Sequence, residues 1–442
     1  MKHKKVFILG MARSGFEAAK LLAKDHEVLI TDMKEQDEKQ VAILNELNVK
    51  VVITKEPLEL LDNSYDLLIK NPGIKKDHPI LIKARELHIP IINELELAYH
   101  YLPQKVFLIG VTGSNGKTTT TTLIYEFLQA ANKKVHLGGN IGIPFSQFVL
   151  DIKEGDYVVL EVSDHQLCDV KDFKTNVSVL TNIYPVHLDF HDSFEQYKEM
   201  KKRIFAHHTK KDLAIINKDN IEAFTLTKDI SSTKEYFSRI EKEECYLEND
   251  AIYYQKEKII DTKDVLLKGN HNYENIMAAI LAVKACGISN EAIKTVLTTF
   301  KGVEHRIEFV RNIKGVSYYN DSKATNCEST KIALKSFQNP TLLILGGLDR
   351  GHSFEDLTDA MTNVKYVVCY GETKNRIKEY CDSLNISCDI FENLQQATLA
   401  CFKKSQANDV VLLSPACASW DQYDSFETRG EEFKKIVNSL GE

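Results

Sequence analysis

Val106-Phe107-Leu108-Ile109-Gly110-Val111-Thr112-Gly113-Ser114-Asn115-Gly116-Lys117-Thr118 decides the reading of this chain. An apolar, β-branched run leads through three glycines to a lysine and a hydroxyl residue, and residues 119–129 read as a helix. A strand feeding a glycine-rich turn at a helix N-terminus is a phosphate cradle. Glycines let the backbone curl until several N–H groups point inward, and the helix end adds partial positive charge. Lys117 has the reach for terminal phosphates, and the Thr118 hydroxyl suits Mg²⁺. The string is G-x-x-G-x-x-G-K-T, with Gly110 one residue too early for the common G-x-x-x-x-G-K-T.

Strand and helix patterns alternate on both sides of this turn. Before it, strands are expected at 5–10, 27–31, 51–53 and 67–69, with helices at 14–24 and 38–47. That is a small doubly wound unit. Its first turn, Gly10-Met11-Ala12-Arg13-Ser14-Gly15, is close to a dinucleotide fingerprint without being G-x-G-x-x-G. Asp32, at the end of the second strand, sits where a ribose-binding acid would. The cradle opens a second unit, with strands at 105–110, 157–161, 176–181 and 213–216. Short β-like segments follow between 236 and 267, and helices at 272–285 and 291–299. A third unit has strands at 316–320, 341–345, 366–369 and 410–413 and a last helix at 426–439. Boundaries fall near 99–104 and 302–304. Three α/β units sharing one cradle suggest a site assembled at domain interfaces.

The 442 residues suit three domains, and 43% hydrophobic with 27% charged is an ordinary globular balance. A net charge of −7 argues against a nucleic-acid or anionic-membrane surface. The acidic stretches at 35–38 and 241–244 read as solvated faces. Nine cysteines without a C-x-x-C pair read as reduced thiols of a cytoplasmic protein. Neither a signal-peptide core nor a membrane-length apolar run is expected.

Further chemistry falls at predicted strand ends. Glu161 closes one strand at the edge where open α/β sheets bind ligands, placed to hold Mg²⁺. His187 follows the next strand. With His191 it makes an H-x-x-x-H pair, but the segment is loop-like and lacks the glutamate of a zinc helix. Lys201 shares a helix with Lys198, Lys202 and Arg203, which by pattern alone is a basic, solvated face. In the third unit, Asn320-Asp321-Ser322-Lys323-Ala324-Thr325-Asn326, Gly346-Gly347-Leu348-Asp349-Arg350-Gly351 and Ser414-Pro415-Ala416-Cys417-Ala418-Ser419 each follow a strand. They bring hydroxyls, cations and helix N-termini to one edge, a pocket for an anionic small molecule. No N-K-x-D guanine motif is present, which argues against a GTPase switch.

Together these motifs resemble the Mur ligases, ATP-dependent amide-forming enzymes of peptidoglycan precursor synthesis. Gly113 to Thr118, Gly139-Asn140-Ile141-Gly142, Glu161, His271-Asn272-Tyr273-Glu274-Asn275 and His305-Arg306 carry the resemblance. It implies an α/β fold of three domains: a Rossmann-like UDP-substrate domain (1–98), a P-loop ATPase-like central domain (99–302) and a Rossmann-like amino-acid domain (303–442). Within the family, the Asn320–Asn326 and Ser414–Ser419 strings point to UDP-N-acetylmuramoyl-L-alanine and D-glutamate as substrates. By the same resemblance, Gly113, Ser114, Asn115, Gly116, Lys117, Thr118, Thr119, Asn275, Arg306 and Asp321 would bind ATP. Thr118, Glu161, His187 and Lys201 would hold two Mg²⁺ ions, with Mn²⁺ able to substitute, and Lys201 would act as a carbamate formed with CO₂. Ser14, Gly15, Asp32, Asn71, Gly73, Asn140, Ser163 and Gln166 would bind the UDP substrate, and Thr325, Arg350, Ser419 and Phe426 D-glutamate. Lys117, Glu161, His187 and Lys201 would form the catalytic set of a cytoplasmic monomer. One departure stands out. Where the family commonly reads E-x-S-S-F-Q-L, this chain has Glu161-Val162-Ser163-Asp164-His165-Gln166-Leu167.

Overall fold

A computed structural model describes residues 3–185 and 190–441. Three sheets carry the chain, and they fall into two compact units, Met1–Thr299 and Phe300–Glu442.

The first sheet uses β1 (Lys5–Leu9), β2 (Glu27–Asp32), β3 (Lys50–Ile53), β4 (Leu67–Lys70) and β5 (Ile91–Asn93) in the order β3-β2-β1-β4-β5, all parallel. The second uses β6 (Phe107–Thr112), β7 (Val135–Gly139), β8 (Tyr157–Glu161), β9 (Val177–Leu180), β10 (Leu213–Asn217) and β11 (Thr233–Ser238). A meander of β12 (Cys245–Glu248), β13 (Ala251–Tyr254) and β14 (Glu257–Asp261) completes it. Its order is β14-β13-β12-β11-β10-β9-β6-β8-β7. The strand order reverses beside β1 in the first sheet and beside β6 in the second. Turns at such points face a crevice beyond the strand ends, where α/β sheets bind ligands.

The first two sheets share a core. The helix Glu94–Tyr99 buries Leu95, Leu97 and Ala98 in one cluster with Phe145, Leu167 and Phe173. Its two buried acids reach across to the second sheet's loops. Glu94 accepts the Ser146 N–H at 2.5 Å, and Glu96 accepts the N–H groups of Lys171, Asp172 and Phe173 at 2.7–3.1 Å. Burial pushes the Glu94 carboxyl up to about 7, against the Ser146 hydrogen bonds.

The second unit holds β15 (Glu308–Ile313), β16 (Val316–Asn320), β17 (Thr341–Gly346), β18 (Val364–Tyr370), β19 (Ser387–Ile390) and β20 (Val410–Leu413), ordered β15-β16-β20-β17-β18-β19. Only β15 runs antiparallel to its neighbour. β16, β20 and the last helix, Phe426–Ser439, lie where the sequence pattern expects them. Four strands escape that pattern, β5, β7, β15 and β19, and all four are sheet edges. Edge strands carry short or half-exposed runs, so their apolar signal is weak.

Gly110 lies inside β6, not in the turn. A Cβ there would meet the Thr175 methyl at 2.9 Å and Ile204 at 3.2 Å, so this glycine serves strand packing, and the turn proper begins at Gly113. Among the described residues, no helix is long and apolar enough to cross a membrane.

Candidate active site

The turn after β6 is shaped by backbone. Gly113 (φ +142°) and Gly116 (φ +82°) hold conformations that side-chain-bearing residues rarely adopt. A Cβ at Gly113 would lie 2.0 Å from the Thr181 hydroxyl, and one at Gly116 2.1 Å from Asn275 Oδ1. Asn182 fastens the turn from the end of β9. Its side-chain oxygen accepts the Asn115 N–H at 2.8 Å, and its carbonyl accepts the Ser114 N–H at 2.9 Å. Gly116 then opens the helix Lys117–Ala130, whose first N–H groups lack intrahelical acceptors. Lys117 Nζ folds over the turn, donating to the carbonyls of Gly113 (2.8 Å) and Ser114 (2.9 Å). Thr119 is buried in the first turn of that helix.

Glu161 ends β8 beside this turn, paired in register with Val111. It is buried, and its two oxygens are engaged from opposite sides. The Thr118 hydroxyl donates to one at 2.7 Å, and Asn140 Nδ2 donates to the other at 2.8 Å. A hydroxyl and a carboxylate are hard oxygen donors, and side by side at a phosphate-sized turn they fit Mg²⁺. Asn275, on the helix Asn270–Lys284, is brought against the same turn: besides its approach to Gly116, its Oδ1 lies 3.4 Å from the Thr120 hydroxyl. His187 lies outside the described residues.

Lys201 is fully buried, which overturns the reading of its helix as a solvated basic face. The helix Phe194–Lys202 turns Tyr197 and Lys201, four residues apart, into the protein, while Lys198 and Lys202 pair with acids outside. Tyr197 Oη meets the Ser114 hydroxyl at 2.8 Å. Lys201 Nζ donates to Thr112 Oγ1 at 3.2 Å and lies 3.2 Å from Asp164 Oδ1. Burial and the nearby Lys117 ammonium push the Lys201 amine down to about 7, against the pull of Asp164 and Glu161. Asp164 responds oppositely. Burial raises its carboxyl, but the hydrogen bonds from His165 and His191 and the Lys201 charge hold it far below the usual carboxylate range.

Two cavities adjoin the first sheet. One, of about 480 Å³, is lined by Gly10, Asp32, Asn71, Gly73, Ile74 and His78 among others. The other, of about 340 Å³, is lined by Arg13, Ser14, Asn71, Asn140, Ser163 and Gln166 among others. Asp32 also shapes its own turn, accepting the N–H groups of Met11 (2.8 Å) and Lys34 (3.0 Å). Ser163 and Gln166 form a capping box on the short helix Asp164–Leu167, so each fixes the other's direction. Gly15 lines neither cavity. It is buried, and a Cβ there would lie 2.0 Å from the Gly10 carbonyl, so it lets the first helix sit close to the turn.

In the second unit the three strand-end loops are joined to one another. Gly346 N–H donates to the Pro415 carbonyl at 3.0 Å, and Leu348 N–H to Ala418 at 2.9 Å. The fully buried Arg429 ties the other pair. Its Nε donates to the Ser322 hydroxyl at 2.9 Å, and its Nη2 to the carbonyls of Ser322 (2.8 Å) and Cys417 (3.1 Å). Asp321 is buried and accepts the Ser414 hydroxyl at 2.7 Å and the Ile307 N–H at 3.2 Å. Burial pushes its carboxyl up to about 7, against the Ser414 hydrogen bond and the Arg306 charge. Phe426 stacks edge-on to His305 at 6.1 Å, with Lys323 Nζ 5.6 Å from its ring, while the exposed Arg350 lies over Trp420 at 4.7 Å. Ser419 is buried and Thr325 half-buried on the same loops.

Residues 111–283 match the family model of the Mur ligase middle domain, and residues 305–417 that of the Mur ligase glutamate ligase domain. The chain is 42% identical over 445 residues to a UDP-N-acetylmuramoylalanine--D-glutamate ligase of Geobacillus kaustophilus, covering 99% of this chain and 98% of the relative. It is 44% identical over 451 residues to the enzyme of that name from Enterococcus hirae, covering 99% and 97%. This chain belongs to the Mur ligase family. Solved Mur ligases share the fold at much lower identity. The UDP-N-acetylmuramate-alanine ligase of Thermotoga maritima superposes with a TM-score of 0.62 at 19% identity, covering 99% of this chain and all of the other. The MurF ligase of that organism, solved in complex with ADP, gives 0.58 at 18%, covering 95% and 97%. The Mur ligases are ATP-dependent, which agrees with the cradle.

Some functional contacts in this Mur ligase carry no local sequence signal. Arg429 sits in an unremarkable amphipathic helix, and nothing near it in sequence announces that it joins the Cys417 loop, 12 residues away, to the Ser322 loop, 107 residues away. Arg13 donates to the Gly142 carbonyl at 2.6 Å, linking the first turn to the Gly139–Gly142 segment. Tyr197 could have been found by its spacing from Lys201 on one helical face.

Proposed function

We propose that this chain joins D-glutamate to UDP-N-acetylmuramoyl-L-alanine in peptidoglycan precursor synthesis, driven by ATP. The observation that carries this reading is the set Lys117, Thr118 and Glu161 at one sheet edge, in a chain 42–44% identical, end to end, to enzymes named for that reaction. Residues 1–98 take the UDP substrate, 99–302 ATP and 303–442 the amino acid, in the cytoplasm. The carboxylate of UDP-N-acetylmuramoyl-L-alanine attacks the γ-phosphorus of ATP, and ADP leaves. The amine of D-glutamate attacks the resulting acyl phosphate, losing a proton, and phosphate leaves from the tetrahedral intermediate to give the amide.

The chain's work is positioning and charge neutralisation. The Gly113–Thr119 turn and Lys117 cradle the phosphates, and Asn275, Arg306 and Asp321 contact adenine, phosphate and ribose. Thr118, Glu161 and His187 hold Mg²⁺, which when bound offsets charge on the transferring phosphoryl group. Lys201 serves as a carbamate, an oxygen ligand in place of a cation. Ser14, Asp32, Asn71 and Gly73 grip the UDP moiety, while Asn140, Ser163 and Gln166 direct the sugar. Arg350 offers a planar fork to one carboxylate of D-glutamate, Thr325 and Ser419 offer hydroxyls, and Phe426 forms an apolar wall.

Phosphate release measured with each co-substrate left out tests this reading. Release is expected only when ATP, UDP-N-acetylmuramoyl-L-alanine and D-glutamate are all present. Steady release with ATP alone would instead mark a nucleotide switch.

A further inference from the structure

Asp164 stands where the resemblance described above leads to the expectation of a serine, and its carboxylate meets the buried lysine. Its carboxylate is 3% exposed and its directions are filled: Oδ1 lies 3.2 Å from Lys201 Nζ, while Oδ2 lies 2.7 Å from His191 Nε2 and 3.1 Å from His165 Nδ1. Lys201 is 0% exposed. The Ser163–Gln166 capping box fixes the helix start from which Asp164 projects, so the pairing is set by backbone. A serine at this position carries no charge and could not make the ion pair. His165, the second departure from the pattern, supplies one of the two imidazoles that brace it.

We propose that Asp164 is a positioning residue that makes carbamate formation at Lys201 dependent on a divalent cation. This rests on the carbamate reading above. In that step the Lys201 nitrogen forms a bond to the carbon of CO₂, one C–O electron pair moves onto oxygen, and two protons leave the ammonium for solvent. The charge at the side chain's end passes from +1 to −1. Beside a serine this swing meets a neutral hydroxyl. Beside Asp164 it destroys a buried ion pair and sets two anions in contact. An opposite charge at this distance biases such an equilibrium on the order of 10- to 1000-fold. A divalent cation reverses the sign, because two neighbouring carboxylates then become a joint ligand. The ion pair therefore holds Lys201 unmodified in the absence of metal, and a divalent cation, when bound, would offset the negative charge of Asp164 and the carbamate together.

The test is carbon-13 NMR of the full chain in labelled bicarbonate, with ADP throughout and with Mg²⁺ either added or removed by a chelator. Wild type should show a carbamate resonance only with Mg²⁺, and Lys201→Arg, which assigns the resonance, should show none. Asp164→Ser should show it with and without Mg²⁺, half-filling without metal at a bicarbonate concentration on the order of 10- to 1000-fold lower than wild type needs. Asp164→Asn keeps the side-chain volume and should behave like Asp164→Ser, which separates loss of charge from a packing defect. Equal metal-free resonances in wild type and both variants would overturn the role of Asp164 and leave the carbamate standing. No resonance in any of them with Mg²⁺ would overturn the carbamate reading and this inference with it.

Discussion

The phosphate cradle of the first unit and the strand-end loops of the second reach comparable order by opposite means. In the cradle, Gly113, Gly116, Lys117 and Thr118 lie within six residues, and the shape follows from what those residues are. In the second unit, three loops separated by up to about a hundred residues are held by Arg429, by the Gly346–Pro415 and Leu348–Ala418 hydrogen bonds and by the Ser414–Asp321 contact. A site built locally announces itself in sequence, whereas one built by distant buried side chains announces only its parts. The two also differ in what a single substitution should do. Damage to the cradle should strike chemistry and spare folding, and damage to the clamp should strike folding first.

Lys117→Ala is the sharpest separation on the cradle side. It removes a cation from where charge gathers on the transferring phosphoryl group, so kcat should fall on the order of 1000-fold. Thermal unfolding should stay near that of wild type, because the Lys117 ammonium donates to the Gly113 and Ser114 carbonyls of its own turn and is half-buried. A comparable loss of stability would make the cradle as interdependent as the loops. On the other side, Arg429→Met keeps bulk but removes three charge-assisted hydrogen bonds. The second unit should lose about 3 kcal/mol in denaturant titration, and a variant as stable as wild type would show that the loops hold without the clamp.

Glu94 extends the comparison to the first unit, where it is also a long-range contact. Its carboxyl is pushed up from its ordinary value of 4.5 to about 7, so the native state keeps a proton that the unfolded chain has released. Stability should be greatest below about pH 4.5 as far as this group is concerned. It should fall as pH rises to about 7, by about 3 kcal/mol in all, and level off above. Glu94→Gln should remove that fall. The difference between the two pH profiles is the quantity to measure, and a flat difference would mean that Glu94 ionises freely where it sits.

The same division explains how much of the molecule is legible in its sequence. Central strands such as β8, β17 and β20 read directly because both faces are buried and the apolar run is continuous. The edge strands β7 and β19, with half-exposed runs such as Ser387-Cys388-Asp389-Ile390, do not. Within the site, Thr118 and Glu161 read as a pair because each sits at a strand or helix end on one sheet edge. Lys201 does not read at all by pattern, since its burial depends on Tyr197 beside it and on Asp164 from another element. Gly110 misleads, because a glycine required for packing in a strand looks like a glycine required by a turn.

Selection of D-glutamate for amide formation is tested most directly by a competition. The purified chain, with ATP, Mg²⁺ and UDP-N-acetylmuramoyl-L-alanine, would be offered D-glutamate, L-lysine and meso-diaminopimelate in equal amounts, and the product's mass read. A product carrying one glutamate and no diamino acid is the result predicted. A diamino acid joined as readily as D-glutamate would contradict it.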